Sequence, residues 1–392
     1  MTDSEIVLGL PHLQIIEKTR KNGKVVISAR YIGPRSCIHC QSTRVRSKGL
    51  YRRTVRHEDW GMRHCLLEVE AQKLLCLDCG RQARQRLPGI LPSQRASEAF
   101  QLDIFYQHLD GINRSRLGRR EKIGAATVER YFQRGLHLLF GEWHPPTCPT
   151  VLGIDEHFFT RKKGYATTIC DLRNHKIYDV VLGRSELSLH AYLQALEGKH
   201  AVRVVCMDLS STYRSIVRQH FPNAIIVADR FHVIRLINQH FLACWREIDP
   251  AGAKNRGLLS LMRRHRHNLK PDQLARLSNY FTAWPAIESI YRFKQRLVYL
   301  LLKKNRTRKQ CQRLIRRLLY AIEQLRQINF PQLATLGETL FSWRAELVAM
   351  WRFSRNNGIT EGFHNKMELI SRQAYGFRNF NNYRMRVKVL CA

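Results

Sequence analysis

The chain of 392 residues carries 66 Lys and Arg against 31 Asp and Glu, a formal net charge of +35, with 44% hydrophobic residues. That length supports two or more domains with cores of their own, and the hydrophobic share excludes a disordered chain. A charge imbalance of this size is too large for an ordinary solvated surface and suits a long polyanion, so nucleic acid is the expected partner.

No apolar stretch approaches the roughly 20 residues needed to span a bilayer. The N-terminus, MTDSEIVLGLPHLQ, lacks a basic region followed by an apolar core. The expectation is a cytoplasmic protein without a membrane partner. Its 11 cysteines then argue for reduced thiols or metal ligation rather than a disulfide framework. Cys37-Ile-His-Cys40 and Cys76-Leu-Asp-Cys79 are two C-x2-C knuckles, each able to give two thiolates to one tetrahedral zinc ion. The basic, β-prone segments between them suit a zinc ribbon with an extended hairpin. His39, His57, His64 and Cys65 are substitute ligands, but four equivalent thiolates are the simpler set. A closed site of this kind is structural, because a catalytic zinc keeps an open position.

After Cys79, RQARQRLPGILP reads as a basic, proline-punctuated linker, followed by a helical region from about Ser93 to Phe140. A short helix around Asn113 to Arg119, a turn near Gly124 and a helix from about Ala125 would pack through Leu117, Ile123, Val128, Phe132 and Leu136. This is a helix-turn-helix pattern, with Arg120, Lys122, Thr127, Arg130 and Arg134 offered to a DNA groove or its phosphates. An αα-hairpin that only packs is the alternative. The proline cluster WHPPTCPT at 143–150 marks a domain boundary.

Strand-like runs at about 151–159, 165–171 and 176–182, with turns at Gly164 and Asn174, read as an antiparallel meander. A helix at about Glu186 to Leu196 follows, then an apolar strand ending at Asp208, a helix from about Ser211, a strand at 224–228 and a helix capped by Asp229. Continuous apolar strands alternating with helices imply parallel strands covered on both faces. Three antiparallel strands followed by β-α-β is the order of a ribonuclease-H-like α/β fold, in which Asp155 and Asp208 are neighbours on one edge of the sheet. Two such carboxylates repel unless a cation lies between them. A pair of Mg2+ or Mn2+ ions would activate an attacking oxygen and stabilise the leaving one in phosphodiester cleavage. Glu156 should face away from Asp155, and Asp171 lies where the second strand turns.

From about Cys244 to Met350 the chain is helical and basic, and reads as an insertion whose Trp245, Trp284 and Trp351 are core residues, with stacking of one of them on a flipped base as the alternative. Asn357-Gly358 then forms a turn, with Thr360 as a cap. Phe363, Met367 and Ile370 make an apolar stripe opposite Glu361, His364, Asn365 and Glu368, so Glu361 can supply a third carboxylate. On its own Glu361 is simply a first-turn glutamate favoured by the helix dipole.

The knuckles, the paired helices, and the stretches GIDEHFFTRKKGYATTICDL, VVCMDLSSTYRSIV, ADRFHVIRLIN and TEGFHNKMELISRQAYGFRNF together resemble the ISL-three family of bacterial insertion-sequence transposases over nearly the whole chain. The resemblance implies a DDE-type transposase with the triad Asp155, Asp208 and Glu361 and a helical insertion between the last two. It also implies a D-x2-H element, matched by Asp229 and His232, with a supporting role near the scissile phosphate; a helix cap and a satisfied histidine are the plainer reading. One departure stands out: where such enzymes often carry Lys or Arg seven residues after the glutamate, to contact the element's end, this chain has Glu368, leaving Lys366 or Arg372 as substitutes.

The expected architecture is a zinc-ribbon domain at 1–84, a helix-turn-helix domain at 85–145, a ribonuclease-H-like catalytic domain at 150–244 and 351–392, and an all-helical insertion at 245–350. The expected reaction is metal-dependent hydrolysis at the element's ends, then attack of the freed 3′-OH on double-stranded target DNA. No covalent intermediate is needed, and neither Tyr213 nor Tyr375 lies in a recognisable nucleophile motif. Two ends must be held together, so a homo-oligomer on DNA is expected. The rival readings are a DNA-binding regulator without catalysis and a metal-dependent, structure-specific nuclease.

Overall fold

The structure, a computed structural model, describes residues 7–140, 147–304, 306–353 and 358–391. Pro145 and Pro146 of the expected boundary and Asn357 of the expected turn lie outside them. The chain divides into two units, Met1–Trp143 with Ile370–Gly376, and His144–Leu369 with Phe377–Ala392.

The first unit opens on a hairpin absent from the sequence reading. Strands β1 (Leu13–Lys21) and β2 (Lys24–Tyr31) meet at Asn22-Gly23, both with positive φ, the conformation that a tight two-residue hairpin requires. Strands β3 (Val45–Trp60) and β4 (Arg63–Cys76) form the expected long hairpin, and β2 runs parallel to β4 in the order β1-β2-β4-β3. Alternation along β4 buries Cys65, Leu67, Val69 and Ala71 on one face.

The segment read as a linker is part of this fold. Gln82–Arg84 forms β5 against β4, and Leu87 and Ile90 join the same core, because a basic segment with apolar residues at the right spacing still has a sheet face to cover. Helices α1 (Glu98–Leu109), α2 (Arg114–Glu121) and α3 (Ala125–Phe140) follow, with α1 starting five residues later than expected, capped by Ser97. The α2–α3 turn is tight: Lys122 adopts φ 54°, and a Cβ on Gly118 would lie 2.8 Å from the Ile123 carbonyl oxygen.

The second unit holds a five-stranded sheet of β6 (Val151–Thr160), β7 (Gly164–Asp171), β8 (Lys176–Leu182), β9 (Val204–Met207) and β10 (Ile225–Ala228) in the order β10-β9-β6-β7-β8. Pairs β6/β7 and β7/β8 are antiparallel, whereas β6/β9 and β9/β10 are parallel. Helix α4 (Glu186–Ala195) precedes β9, α5 (Ser211–His220) joins β9 to β10, and α6 (Arg230–Ile248) leaves β10. All four residues of β9 are buried, which is why its sequence is continuously apolar.

Among the described residues seven α-helices follow: α7 (Pro250–Lys254), α8 (Arg256–Arg263), α9 (Pro271–Ala283), α10 (Pro285–Leu301), α11 (Arg308–Gln327), α12 (Pro331–Ser342) and α13 (Arg344–Arg352). They are not one separate body. Helices α7 to α9 and the start of α10 close a small core around Trp245 and Tyr291, while residues of α10 to α13 share the core of the sheet. Trp245 and Trp351 are buried as expected, but Trp284 is 36% exposed at a helix junction. Arg230, buried at the start of α6, donates to the carbonyls of Leu301 (3.0 Å), Lys303 (3.3 Å) and Met350 (2.9 Å), tying the strand-to-helix turn to the ends of α10 and α13.

Helices α14 (Gly358–Gln373) and α15 (Phe380–Leu390) end the chain. Asp179 of β8, wholly buried, accepts two bonds from Arg384 of α15, at 2.7 and 2.5 Å, with Lys388 Nζ 3.4 Å away. Asp179→Ala would strip the carboxylate from these two cations, and Lys388 is only 3% exposed. The expected cost is about 3–5 kcal/mol, read as a lower midpoint in urea, whereas an unchanged midpoint would contradict this role.

Candidate active site and metal centre

The two knuckles bring four thiols together. Cys37 Sγ lies 3.6 Å from Cys79 Sγ and Cys40 Sγ lies 3.5 Å from Cys76 Sγ, all four within 4.8 Å of one another. Four ligands about 2.3 Å from a tetrahedral zinc stand roughly 3.8 Å apart, so the arrangement fits that ion. The backbone N–H of His39 points at Cys37 Sγ, and that of Cys79 at Cys76 Sγ. Hydrogen bonds from backbone N–H groups, those of Cys40 and His39, draw the Cys37 thiol down to about 6, favouring the thiolate that a metal needs. The alternative ligands are otherwise engaged: buried His57 bonds Ser97 and the Leu8 carbonyl, and Cys65 lies in the sheet core.

A second set of donors, Asp59, His64 and Glu121, also converges. Its centre is taken by Arg56, whose Nη2 reaches Asp59, His64 Nδ1 at 2.6 Å and Glu121 Oε2 at 3.0 Å. The guanidinium already supplies the positive charge there.

In the second unit, Asp155 sits within β6 and Asp208 immediately follows the parallel β9. Asp155, Asp208 and His232 present donor atoms within 4.8 Å of one another. His232 Nδ1 is 3.1 Å from Asp208 Oδ2 and its Nε2 is 3.7 Å from Asp229 Oδ2. Asp229 occupies the N-cap position of α6, yet its side chain makes no capping bond; the carboxylate faces His232 instead. Burial, with the charges of Asp229, Glu156 and Glu361, pushes Asp155 up to about 7. Burial, with the charges of Asp155, Asp229 and Glu156, pushes Asp208 up to about 8. Asp208 Oδ1 is buried with no hydrogen-bond partner among the described residues. A buried carboxylate oxygen without a donor, beside a second acid, fits a hard divalent cation.

Glu361 does not join that tight group. It is exposed in the first turn of α14, close enough for its charge to act on Asp155 and His232. The expected stripe packs inward: Met367 and Ile370 are buried, together with Thr360, and Phe363 is half-buried. His364, expected on the same side of the helix as Glu361, lies over the sheet with Nδ1 3.8 Å from Asp155 Oδ2.

His364 begins a chain that the sequence reading missed. Its Nε2 is 3.2 Å from Thr168 Oγ1, Thr168 Oγ1 is 2.9 Å from His157 Nδ1, and His157 Nε2 is 2.9 Å from the Tyr383 hydroxyl. Burial pulls His364 down to about 4 and His157 to about 3, so both rings are neutral near pH 7. The available signal was His157 two residues after Asp155, which alternation puts on the same face of the sheet.

Other assigned residues separate by position. Glu156 pairs with Arg184, and Asp171 accepts from the Arg173 and Asn174 backbones in a turn. Arg120, Lys122 and Arg130 are exposed; Arg120 pairs with Glu121, and Arg130 donates to half-buried Thr127. Arg134 instead turns back to Glu98 and Gln101, both at 3.0 Å, bracing α3 against α1. Lys366 donates to the Leu390 carbonyl, and Arg372 and Glu368 are exposed on α14. Tyr213 is buried against Thr167, its hydroxyl pushed above the usual range by burial, which is unsuited to a nucleophile. Among the described residues no helix is long and apolar enough to cross a membrane.

A basic chain with a four-thiol knuckle domain and two acids on neighbouring parallel strands has the features of a polynucleotide-processing protein. Comparison with known proteins gives the family. A model described as a transposase, of the ISL3 DDE type, matches residues 152–387. Another, described as the zinc-finger of transposase IS204/IS1001/IS1096/IS1165, matches residues 33–79. The chain belongs to the ISL3 family of insertion-sequence transposases. It is 24% identical, over 82% of its length and 80% of the relative's, to the transposase for insertion sequence element IS1001 of Bordetella parapertussis. It is 22% identical, over 58% of its length and 57% of the relative's, to the transposase for insertion sequence element IS1557 of Mycobacterium tuberculosis.

Proposed function

We propose that this transposase cuts the ends of its own insertion sequence and joins the exposed 3′-OH to target DNA at a site built on Asp155, Asp208 and Glu361. Asp208 Oδ1, buried and without a donor beside Asp155, carries the reading: it is a place prepared for a cation. When bound there, Mg2+ or Mn2+ supplies Lewis-acid activation of the attacking and leaving oxygens. Asp155 and Asp208 would hold that cation between adjacent strands, with Glu361 of α14 as the third carboxylate. Buried Asp229 keeps His232 against Asp208.

The strand order β8-β7-β6-β9-β10, with its two antiparallel and two parallel pairings, supports a ribonuclease-H-like catalytic domain at 150–244 and 351–392, interrupted by the helical insertion at 245–350. The short α2, its tight turn and basic α3 support a helix-turn-helix in 85–145 that meets DNA through Arg120, Lys122, Thr127 and Arg130, with zinc closing the ribbon of 1–84. Two copies of the chain hold two element ends.

Labelled terminal-repeat DNA, Mg2+ and a target plasmid test this directly. Joined product is the expected outcome; cleavage without joining points to a nuclease, and binding alone to a regulator. Asp208→Ala should abolish both cleavage and joining, a loss of at least about 10³-fold, while leaving the DNA shift intact. A variant as active as wild type would remove the carboxylate site from the reaction.

A further inference from the structure

We infer that His364 is a nitrogen ligand to the divalent cation beside Asp155, which tunes this active site toward Mn2+ over Mg2+. The inference deepens the carboxylate-site reading above and rests on it.

The direction of the hydrogen-bond chain supplies the first argument. Run one way, His364 Nδ1 would carry the proton and aim it at Asp155 Oδ2. That separation is 3.8 Å, too long for a hydrogen bond, so the proton would have no side-chain acceptor among the described residues. Run the other way, His364 Nε2–H donates to Thr168 Oγ1, the Thr168 hydroxyl donates to His157 Nδ1, and His157 Nε2–H donates to the Tyr383 hydroxyl, at 3.2, 2.9 and 2.9 Å. Each ring N–H then has an acceptor, the run ending on the Tyr383 hydroxyl, and the Nδ1 lone pair faces the aspartate. A metal-binding histidine is commonly oriented in this way, through a bond from its other ring nitrogen.

Position on α14 supplies the second. Glu361 and His364 are three residues apart, so they rise on one side of the helix; a Glu-x-x-His pair is how helices in carboxylate-bridged dimetal proteins offer one oxygen and one nitrogen to a shared site. His364 Nδ1 stands 3.8 Å from Asp155 Oδ2, outside the close group of Asp155, Asp208 and His232. Mg2+ keeps to oxygen ligands and water, whereas first-row transition ions accept imidazole, and Mn2+ is the one that also suits a carboxylate-rich site.

The test is Mn2+ binding to the full-length, zinc-loaded protein without DNA, followed by electron paramagnetic resonance with Mg2+ competition. Pulsed spectra of wild type should contain nitrogen-14 coupling to Mn2+. In His364→Asn that coupling should weaken, Mn2+ affinity should fall about ten-fold or more, and Mg2+ affinity should stay the same. Wild-type spectra without nitrogen coupling overturn the inference with no variant needed. So does a His364→Asn protein with unchanged coupling and unchanged preference. Asp155→Asn distinguishes the two levels: if it binds Mn2+ as wild type does, the carboxylate site itself has been misplaced.

Discussion

Asp208→Asn is expected to make the metal-free protein more stable at pH 8.5 while removing its strand-cleavage activity. The two effects have one cause. Burial and the charges of Asp155, Asp229 and Glu156 hold the folded Asp208 carboxyl near 8, against roughly 4 in an unfolded chain. Between those values the folded state keeps a proton that the unfolded state has released. Stability therefore falls as pH rises through this window, and the penalty is fully present above it. Asp155, raised to about 7, acts in the same direction over a slightly narrower window. Asparagine keeps the shape and carries no charge, so the variant escapes the penalty at high pH and matches wild type near pH 4. With the Asp208 side chain still 21% exposed, a gain of about 2 kcal/mol is a reasonable scale after solvent screening. Urea midpoints of both proteins from pH 4 to 9, in chelator, measure it. A variant less stable than wild type at high pH would mean that the two acids do not strain the fold. Adding a divalent cation should stabilise wild type more strongly as pH rises, because the ion competes with the retained protons.

Much of this site was readable before any coordinates. Asp155 and Asp208 each follow a run of apolar residues that only a buried strand explains, and the order of strands around them sets which two are neighbours. What could not be read was how His364 of α14 is held. Phe363, Met367 and Ile370 fit a helical stripe with Glu361 and His364 on the other side, but spacing alone does not say which polar side chain is held against the sheet, and burying an imidazole is costly unless it is hydrogen-bonded. Thr168 and His157, nearly two hundred residues earlier in the chain, supply that bonding, and nothing local to His364 announces them. The insertion shows the same limit. Amphipathic helices reveal that a face is buried, not what covers it, so the merging of α10 to α13 with the sheet core stayed hidden. The β1–β2 hairpin was a different kind of miss: Asn22-Gly23 between alternating residues is a local turn signal that was there to be used.

Removing zinc should open one end of the first unit and spare the rest. The four thiols close the loops at the Val45 end of β3 and the Cys76 end of β4, where those strands pair. Without an ion the thiols have little to hold them together, and zinc bound in comparable small fingers contributes an apparent 10–16 kcal/mol or so at neutral pH. The other end of the hairpin has independent support: Val55, Cys65, Leu67 and Val69 pack with Leu8, Leu10, Ile27, Leu87 and Ile90. A strong chelator, or Cys40→Ser combined with Cys79→Ser, should therefore speed amide exchange at 45–47 and 74–76 while 65–69 remain protected. Full protection throughout, after confirmed loss of metal, would mean that the knuckles stand without it. Exchange across the whole sheet would mean instead that the apolar core beneath β4 is too small to hold its strands once the thiolates are released, and that the ion governs folding of the entire ribbon rather than its tip.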